Sequence, residues 1–387
     1  MSKYTYAVLG AGRQGTSAAY DLAKFGEAKR IFLADLKEET AQHSAQRINR
    51  LVGREVATGT GLDVSDRTAL DKFLPGVDVA LSAVPYYFNL EITKACLAAG
   101  ASMCDMGGHT GVVRQQLALD REATKAGVSI VPDCGMGPGL NVTMAIYAKD
   151  LLDEPHSVHI FDGGLPQDPI PPWNYQATFH INGLTNELDG QATFLRNGVL
   201  TPVDTLTEPE FIDFPPLGRL EADVTSGGMS TSPWTLEGQL QDYTNKTLRY
   251  PGHFEWLRAF KELGLFSEEA VKVNGKEVIP REVYHTLLEP KIRAEEIRDI
   301  CVIRVVGSGL KDGKETTVTV DLVDTYDEET GFTAMERLTG WHCAIMMGFQ
   351  ARGQVPAGGV SMEVAVPAAD FMDAVRERGI HFEVHFS

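Results

Sequence analysis

The chain has 387 residues, 43% hydrophobic and 23% charged, which at roughly 100–200 residues per domain predicts a soluble globular protein of two domains. With 53 acidic against 35 basic residues its net charge is -18, which argues against nucleic acid as a partner, because phosphate contacts need clustered Lys and Arg. Five cysteines without a CxxC spacing suggest neither a disulfide framework nor a zinc knuckle; with no basic-then-apolar leader and no run near the ~18 apolar residues of a membrane span, they predict a cytoplasmic location away from the membrane.

The first third alternates strand and helix. YTYAVLG (4–10) reads as a buried strand and GTSAAYDLAKFG (15–26) as the helix after it; RIFLADL (30–36) is the second strand and ETAQHSAQRINRLVG (39–53) the second helix. GLDV (61–64) ends a third strand, VDVALSAV (77–84) is a fourth, and NLEITKACLAAG (89–100) is its helix. ASMCDMG (101–107) and VSIVPDCG (128–135) are further strands separated by one helix, VVRQQLALDREATKAG (112–127). Strands alternating with helices of this length predict βαβ units and a parallel, doubly wound Rossmann sheet.

From about Gly163 to Asp223 the pattern changes. Pro, Gly and short alternating segments such as YQATFHI (175–181) and QATFLRNG (191–198) predict a largely antiparallel sheet with one covered face. CVIRVVGSG (301–309) and ETTVTVDLVDTY (315–326) are two more strands, joined by LKDGK. The tail returns to helix, TAMERLTGWHCAIMMGFQARG (333–353) then PAADFMDAVRERG (367–379), and ends on a strand, HFEVHF (381–386). The expected organisation is an α/β dinucleotide-binding domain (1–135) interrupted by a mixed α/β substrate and dimerisation domain (136–332), with 333–387 returning to complete the first domain.

VLGAGRQG carries GxGxxG at Gly10, Gly12 and Gly15, after a strand and opening a helix. Gly10 makes the tight turn, Gly12 admits a pyrophosphate and Gly15 allows close helix–strand packing. The helix N-terminus, with Arg13 and Gln14, offers free N–H groups to the phosphates. Asp35 ends the second strand 20 residues after Gly15, the place of the carboxylate that accepts ribose hydroxyls. A carboxylate there repels a 2′-phosphate, so NAD is favoured over NADP; Lys37 and Arg13 soften that preference. Leu36, then Asp63 and Val64, flank the adenine side, and Val84 and Pro85 follow the fourth strand on the nicotinamide side.

Asp105 and His109, in CDMGGHT after the fifth strand, point into the same crevice. PDCGMGPGLN follows the next strand; its glycines, Gly137 among them, let backbone approach a ligand, and Asn141 is a candidate N-cap for VTMAIYAKDLL. The histidine pairs HSVH (156–159) and HFEVH (381–385) lack partners at metal spacing, so no metal is expected. No GxSxG or Cys–His signature points to a nucleophilic hydrolase.

Taken in order, VLGAGRQG, SAVPYYFN, CDMGGHT, PDCGMGPGLN, GGLPQDPIPPWNY, KTLRYPGH and the C-terminal TGWHCAIMMGFQARGQVPAGGVSMEVAVP resemble the saccharopine dehydrogenase-like family, and its lysine 6-dehydrogenase branch in particular. The resemblance implies the interrupted Rossmann architecture and a homodimer or larger assembly. It also implies oxidation of the ε-amine of L-lysine with NAD to 2-aminoadipate 6-semialdehyde and ammonia. One departure bears on substrate: where saccharopine reductases carry a DPGxDH-type turn, Gly137, Asn141 and Val142 replace Asp, Asp and His. That weakens saccharopine itself, a tricarboxylate, as the substrate.

In this acidic chain KTLRYPGH gathers Lys246, Arg249 and His253 around Tyr250 and Pro251. An amino-acid substrate brings a carboxylate that Arg249 can clamp with two parallel hydrogen bonds. Lys246 or His253, with Asp105, can manage the proton that the ε-ammonium loses before hydride leaves its carbon. Tyr250 forms an apolar wall for the methylene chain, and Tyr175 and His109 are further candidate substrate contacts. Two rivals stay open: reductive amine coupling, of saccharopine or carboxyspermidine type, and a non-catalytic NAD(H)-binding sensor.

Overall fold

The computed structural model describes residues 2–177, 181–294 and 296–387. Strands with both faces covered read as near-continuous apolar runs; those of the first sheet do so at its centre and give way to a largely unburied edge at Ala57–Gly61. They are β1 (Tyr4–Leu9), β2 (Ala28–Asp35), β3 (Ala57–Gly61), β4 (Val79–Ser82), β5 (Ser102–Asp105) and β6 (Ser129–Val131); β4, β5 and β6 are buried at every residue. The helices Arg13–Phe25, Glu38–Val52, Arg67–Phe73 and Asn89–Ala99 connect them. Where one helix was expected between β5 and β6 there are two, Thr110–Leu117 and Asp120–Ala126, because the backbone leaves helical geometry at Leu119 (φ -81, ψ 17).

The second sheet starts at β7 (Glu154–Pro166) and takes in β8 (Gln191–Arg196), β9 (Val199–Asp204), β10 (Glu210–Phe214), β11 (Gly218–Val224) and β12 (Asp242–Arg249). A two-stranded ribbon, β13 (Val271–Val273) with β14 (Lys276–Val278), stands apart; β15 (Asp299–Lys311) and β16 (Lys314–Thr325) rejoin the sheet. Within it β12 runs parallel to β7 and the remaining pairs are antiparallel, so the sheet is mixed. Asp312 (φ 51) and Gly313 (φ 71) make the β15–β16 turn, and Asn197 (φ 51) and Gly198 (φ 77) the β8–β9 turn. Both dipeptides tolerate the two left-handed residues that the tightest hairpins need. The expected strand character of YQATFHI is not found: residues 178–180 lie outside the described residues, Tyr175–Ala177 form no strand, and Ile181–Glu187 is a helix.

The tail ties the two sheets together. The helix Ala334–Ala351, started by a capping box between Thr333 and Glu336, packs on Arg13–Phe25 and touches both β5 and β15. β17 (Gly358–Gly359) adds to the first sheet, giving the parallel order β17-β6-β5-β4-β1-β2-β3, which is the Rossmann order with one strand added. β18 (Phe382–Phe386) closes the free edge of β16 in the second sheet. The helix Leu140–Asp150 covers β7 and β15 from within. Its N-cap is Gly139 (φ 141), not Asn141, whose side chain turns instead toward the second sheet.

Candidate active site

The turn after β1 has the form a dinucleotide requires. Gly10 sits at φ +104, and a Cβ there would lie 2.4 Å from Ala83 O; one on Gly15 would lie 1.9 Å from Gly10 O. A Cβ on Gly12 would meet nothing within 4 Å, so that side is open. No side chain caps the helix Arg13–Phe25, which leaves its first amides for an anion. Among the described residues the buried Oε1 of Gln14 has no hydrogen-bond partner. Asp35 Oδ2 accepts from Ala11 N at 3.1 Å, tying the end of β2 to the glycine turn. Leu36 beside it is 74% exposed, and Arg13 reaches out to within 3.9 Å of Glu336. Asp63 is exposed beyond β3; hydrogen bonds from the Ser65 hydroxyl and amide hold its carboxyl below the usual range. Val64 packs on the first core, Val84 lies beside Gly10, and exposed Pro85 leads into the turn Tyr86–Phe88. These groups fit a dinucleotide across the switch point between β1 and β4.

Beyond β4 the next two strands each end in a buried carboxylate. Asp105 ends β5: Oδ1 accepts from Gly107 N at 2.8 Å and Asp133 N at 3.2 Å, and Oδ2 from Gln116 at 2.7 Å. Burial, against those bonds, pushes it up to about 6. Asp133 follows β6; burial and then the charge of Asp105 push it up to about 7. Its Oδ2 accepts a short hydrogen bond from Ser230, while Oδ1 is enclosed without a well-formed partner. His109 is not in this pair. It caps the helix Thr110–Leu117 by accepting from Val112 N at 3.4 Å, and its ring stacks on Tyr86 at 5.3 Å.

A cleft of about 300 Å³ opens between this edge and the second sheet, lined by Arg114, Trp234, Ser230, Asn245 and Met229 among others. Arg114 lies over the Trp234 ring at 4.0 Å, and both line the cleft. The floor is β12. Successive strand residues point to opposite faces, so Tyr243, Asn245, Thr247 and Arg249 face one way and Lys246 and Leu248 the other. Asn245 donates to Asp162 at 2.7 Å, and Asn141 donates to the same carboxylate at 3.3 Å; burial pushes Asp162 up to about 6. Gly137 packs here, where a Cβ would lie 2.5 Å from Asp162 Oδ2.

Four residues further along β12, Arg249 donates to Glu187 at 2.9 Å and stands over Tyr175, 5.2 Å from the ring centroid. Burial raises Glu187 against the pull of that guanidinium. His253, 1% exposed, contacts Tyr175 and Trp256 at 4.9 and 4.8 Å; burial and the Arg249 charge hold it well below its ordinary range, so its ring is neutral. Arg249 Nε and Asn245 Oδ1 make no hydrogen bond among the described residues, and the Tyr175 hydroxyl and the His253 ring lie against Arg249 and the Trp173 backbone without a well-formed one.

The structure therefore brings Arg249, His253 and Tyr175 together and leaves Lys246 and Tyr250 outside. Lys246 pairs with Glu210 at 2.6 Å and Glu208 at 3.5 Å on the opposite face. Tyr250 donates to Pro166 O at 3.0 Å and packs on the cluster around Leu248. Sequence reasoning missed Glu187, Asp162, Asn245, Asp133 and Ser230. Alternation along β12 pairs Asn245 with Arg249, and Asp133 follows a parallel strand; those two had signals. The described residues contain no group of His, Cys, Asp and Glu able to hold a metal.

Residues 6–131 match the saccharopine dehydrogenase NADP binding domain and residues 135–380 the saccharopine dehydrogenase C-terminal domain. The chain is 24% identical over 249 residues to saccharopine dehydrogenase [NADP(+), L-glutamate-forming] of Saccharomyces cerevisiae, covering 61% of this chain and 54% of that protein. It is 26% identical over 262 residues to the Schizosaccharomyces pombe enzyme of the same name, covering 64% and 56%. Mouse mitochondrial alpha-aminoadipic semialdehyde synthase matches at 24% over 233 residues, 54% of this chain and 24% of its own. The matched region thus spans about half or less of these relatives. Among solved structures, apo saccharopine dehydrogenase (L-Glu forming) from S. cerevisiae has a TM-score of 0.80 at 20% identity, covering all of both chains. Homospermidine synthase from Legionella pneumophila in complex with NAD has 0.66 at 13% identity, covering 100% of this chain and 92% of that one. At these identities the likeness is one of fold.

Proposed function

The chain belongs to the saccharopine dehydrogenase family, a family of nicotinamide-dinucleotide oxidoreductases, and from that premise we propose that it oxidises the ε-amine of L-lysine with NAD, giving 2-aminoadipate 6-semialdehyde and ammonia. The observation that carries this reading is Arg249, a buried guanidinium packed beside Tyr175 and His253 and four residues along β12 from Asn245 of the cleft. Of its five N–H donors, Glu187 and Leu248 O each engage one, and three, Nε among them, are left to grip an α-carboxylate. Asp162 and Glu187 set an acidic field for the α-ammonium. Tyr175, His253 and Trp256 supply the apolar wall for the methylene chain, in place of Tyr250. Bound at the glycine turn, NAD supplies the hydride acceptor. The preference for NAD rests on Asp35 at the end of β2, although the matched domain is named for NADP.

Purified protein with NAD and L-lysine should form NADH and ammonia in equal amounts. NADH formation only with a secondary amine would overturn the reading. Arg114, a guanidinium that lines the cleft where Arg249 does not, supports the alternative of saccharopine- or carboxyspermidine-type coupling, whose substrates carry a further carboxylate. The resemblance also carries a homodimer or larger assembly, to be read from the mass in solution. A cytoplasmic setting rests on five unpaired, buried cysteines.

A further inference from the structure

We propose that Ser230 and Asp133 form the relay that takes the proton from the substrate amine before hydride leaves the adjoining carbon, with Asp105 positioning Asp133. This rests on the amine-oxidation reading above. Ser230 lines the cleft, and its hydroxyl donates to Asp133 Oδ2 across the junction of the two domains. The two carboxylates divide the work. Both oxygens of Asp105 are occupied by Gly107, Asp133 and Gln116, which keeps it an acceptor in a fixed place. Asp133, 2% exposed, accepts from the serine at Oδ2, while Oδ1 lacks a well-formed bond, with the Gly108 amide close to the carboxylate.

Asp105 and Glu363 are the charged groups that face Asp133, and both favour its taking a proton; Glu363 is itself held by Thr231 and Thr235. Two neighbouring carboxyls can take different roles, one held as an acceptor by its hydrogen bonds and one exchanging a proton near neutrality. Asp133 (φ 62) and Ser230 (φ 50) both adopt left-handed backbone, uncommon outside glycine, and strain of that kind gathers at functional sites. Strands lie ~4.8 Å apart, so the end of β6 is about 10 Å from the end of β4, within reach of a substrate beside the nicotinamide.

In the step, an N–H bond of the ammonium breaks as its proton passes to Ser230 Oγ, and the serine's own proton passes to Asp133 Oδ2. The lone pair left on nitrogen drives hydride from the adjoining carbon onto the oxidised dinucleotide, and Asp133 later releases its proton through the cleft to solvent.

Two readouts test the relay. Infrared difference spectra of the resting protein should show protonated carboxyl absorption that titrates in the neutral range, and Asp133→Asn should remove a component of it that Asp162→Asn leaves in place. In turnover, wild-type kcat/KM should fall on the acid side of neutrality; Asp133→Asn should lower kcat by ~10²–10⁴-fold and remove that limb. Ser230→Ala should displace the limb, with NADH binding unchanged in both variants. The absence of that component, or an Asp133→Asn enzyme with the wild-type limb, overturns the relay. If the wild type oxidises no primary amine, the amine-oxidation reading fails, and the infrared titration still decides the relay.

Discussion

Arg249 Nη2 lies 2.9 Å from Glu187 Oε1, and the arginine side chain is 5% exposed. The pair fixes the guanidinium before a ligand arrives, so the two residues should respond differently to substitution. Arg249→Ala should lower kcat/KM for lysine by ~10–100-fold, since a charged hydrogen bond is worth about 1.5–3 kcal/mol. Glu187→Gln should mainly raise KM, because the guanidinium is kept and its aim is lost. Near-normal kcat/KM in Arg249→Ala would remove it from the substrate site.

Asp35 should decide the cofactor. Asp35→Asn keeps an acceptor for Ala11 N and removes the charge that repels a 2′-phosphate. Fluorescence titration should show NADH binding weakened about 10-fold and the preference over NADPH narrowed. Equal wild-type affinities for the two cofactors would contradict the assignment.

Stability should vary with pH through Asp162, a carboxyl raised from 3.8 to about 6 in the fold. The folded state binds the extra proton between those values, so stability is highest below the lower one and falls as pH rises through the upper one. The change is at most about 3 kcal/mol at ~1.4 kcal/mol per pK unit. Melting temperatures at pH 5 and pH 7.5 should differ less in Asp162→Asn than in wild type. Identical slopes would show that the carboxyl is ionised throughout.

Gly107 backs Asp133: its φ is +76, and a Cβ would lie 1.8 Å from Asp133 Oδ1. Gly107→Ala should cut kcat more than 10-fold by turning that carboxylate. Gly53→Ala makes the control, since φ is +67 and nothing lies within 4 Å; it should cost only ~1 kcal/mol of stability. Equal activities of the two variants would separate Asp133 from the chemistry.

Arg114 should distinguish the two substrate classes. Arg114→Ala should leave lysine oxidation within about 3-fold of wild type and lower a tricarboxylate coupling reaction more than 10-fold. A large loss with lysine would place the lysine carboxylate at Arg114 rather than Arg249.

The first sheet was legible because its information is local: a buried run, GxGxxG, and an aspartate at the end of the next strand all lie within 32 residues. KTLRYPGH was legible as a cationic run but not as a geometry. It was read as one cluster, whereas the pleat of β12 sends Lys246 to Glu210 and keeps Arg249 with Tyr175. Glu187 and Asp162 had no local signal. They meet β12 only through sheet register and a helix 62 residues upstream of Arg249.

Gly340 lets the helix Ala334–Ala351 approach the helix behind the glycine turn so closely that a Cβ would lie 2.7 Å from Gln14 O. The wall of the cofactor domain is therefore made from residues that leave the ribosome more than 300 positions after Gly10. Until they emerge, the face of the nascent domain that meets Trp341, Ile345 and Met346 stays bare. Apolar surface of that kind is what chaperones bind. Translation to the last fifth of the message is thus a condition for the first domain to close, and a ribosome stalled earlier would hold an open, aggregation-prone half-domain.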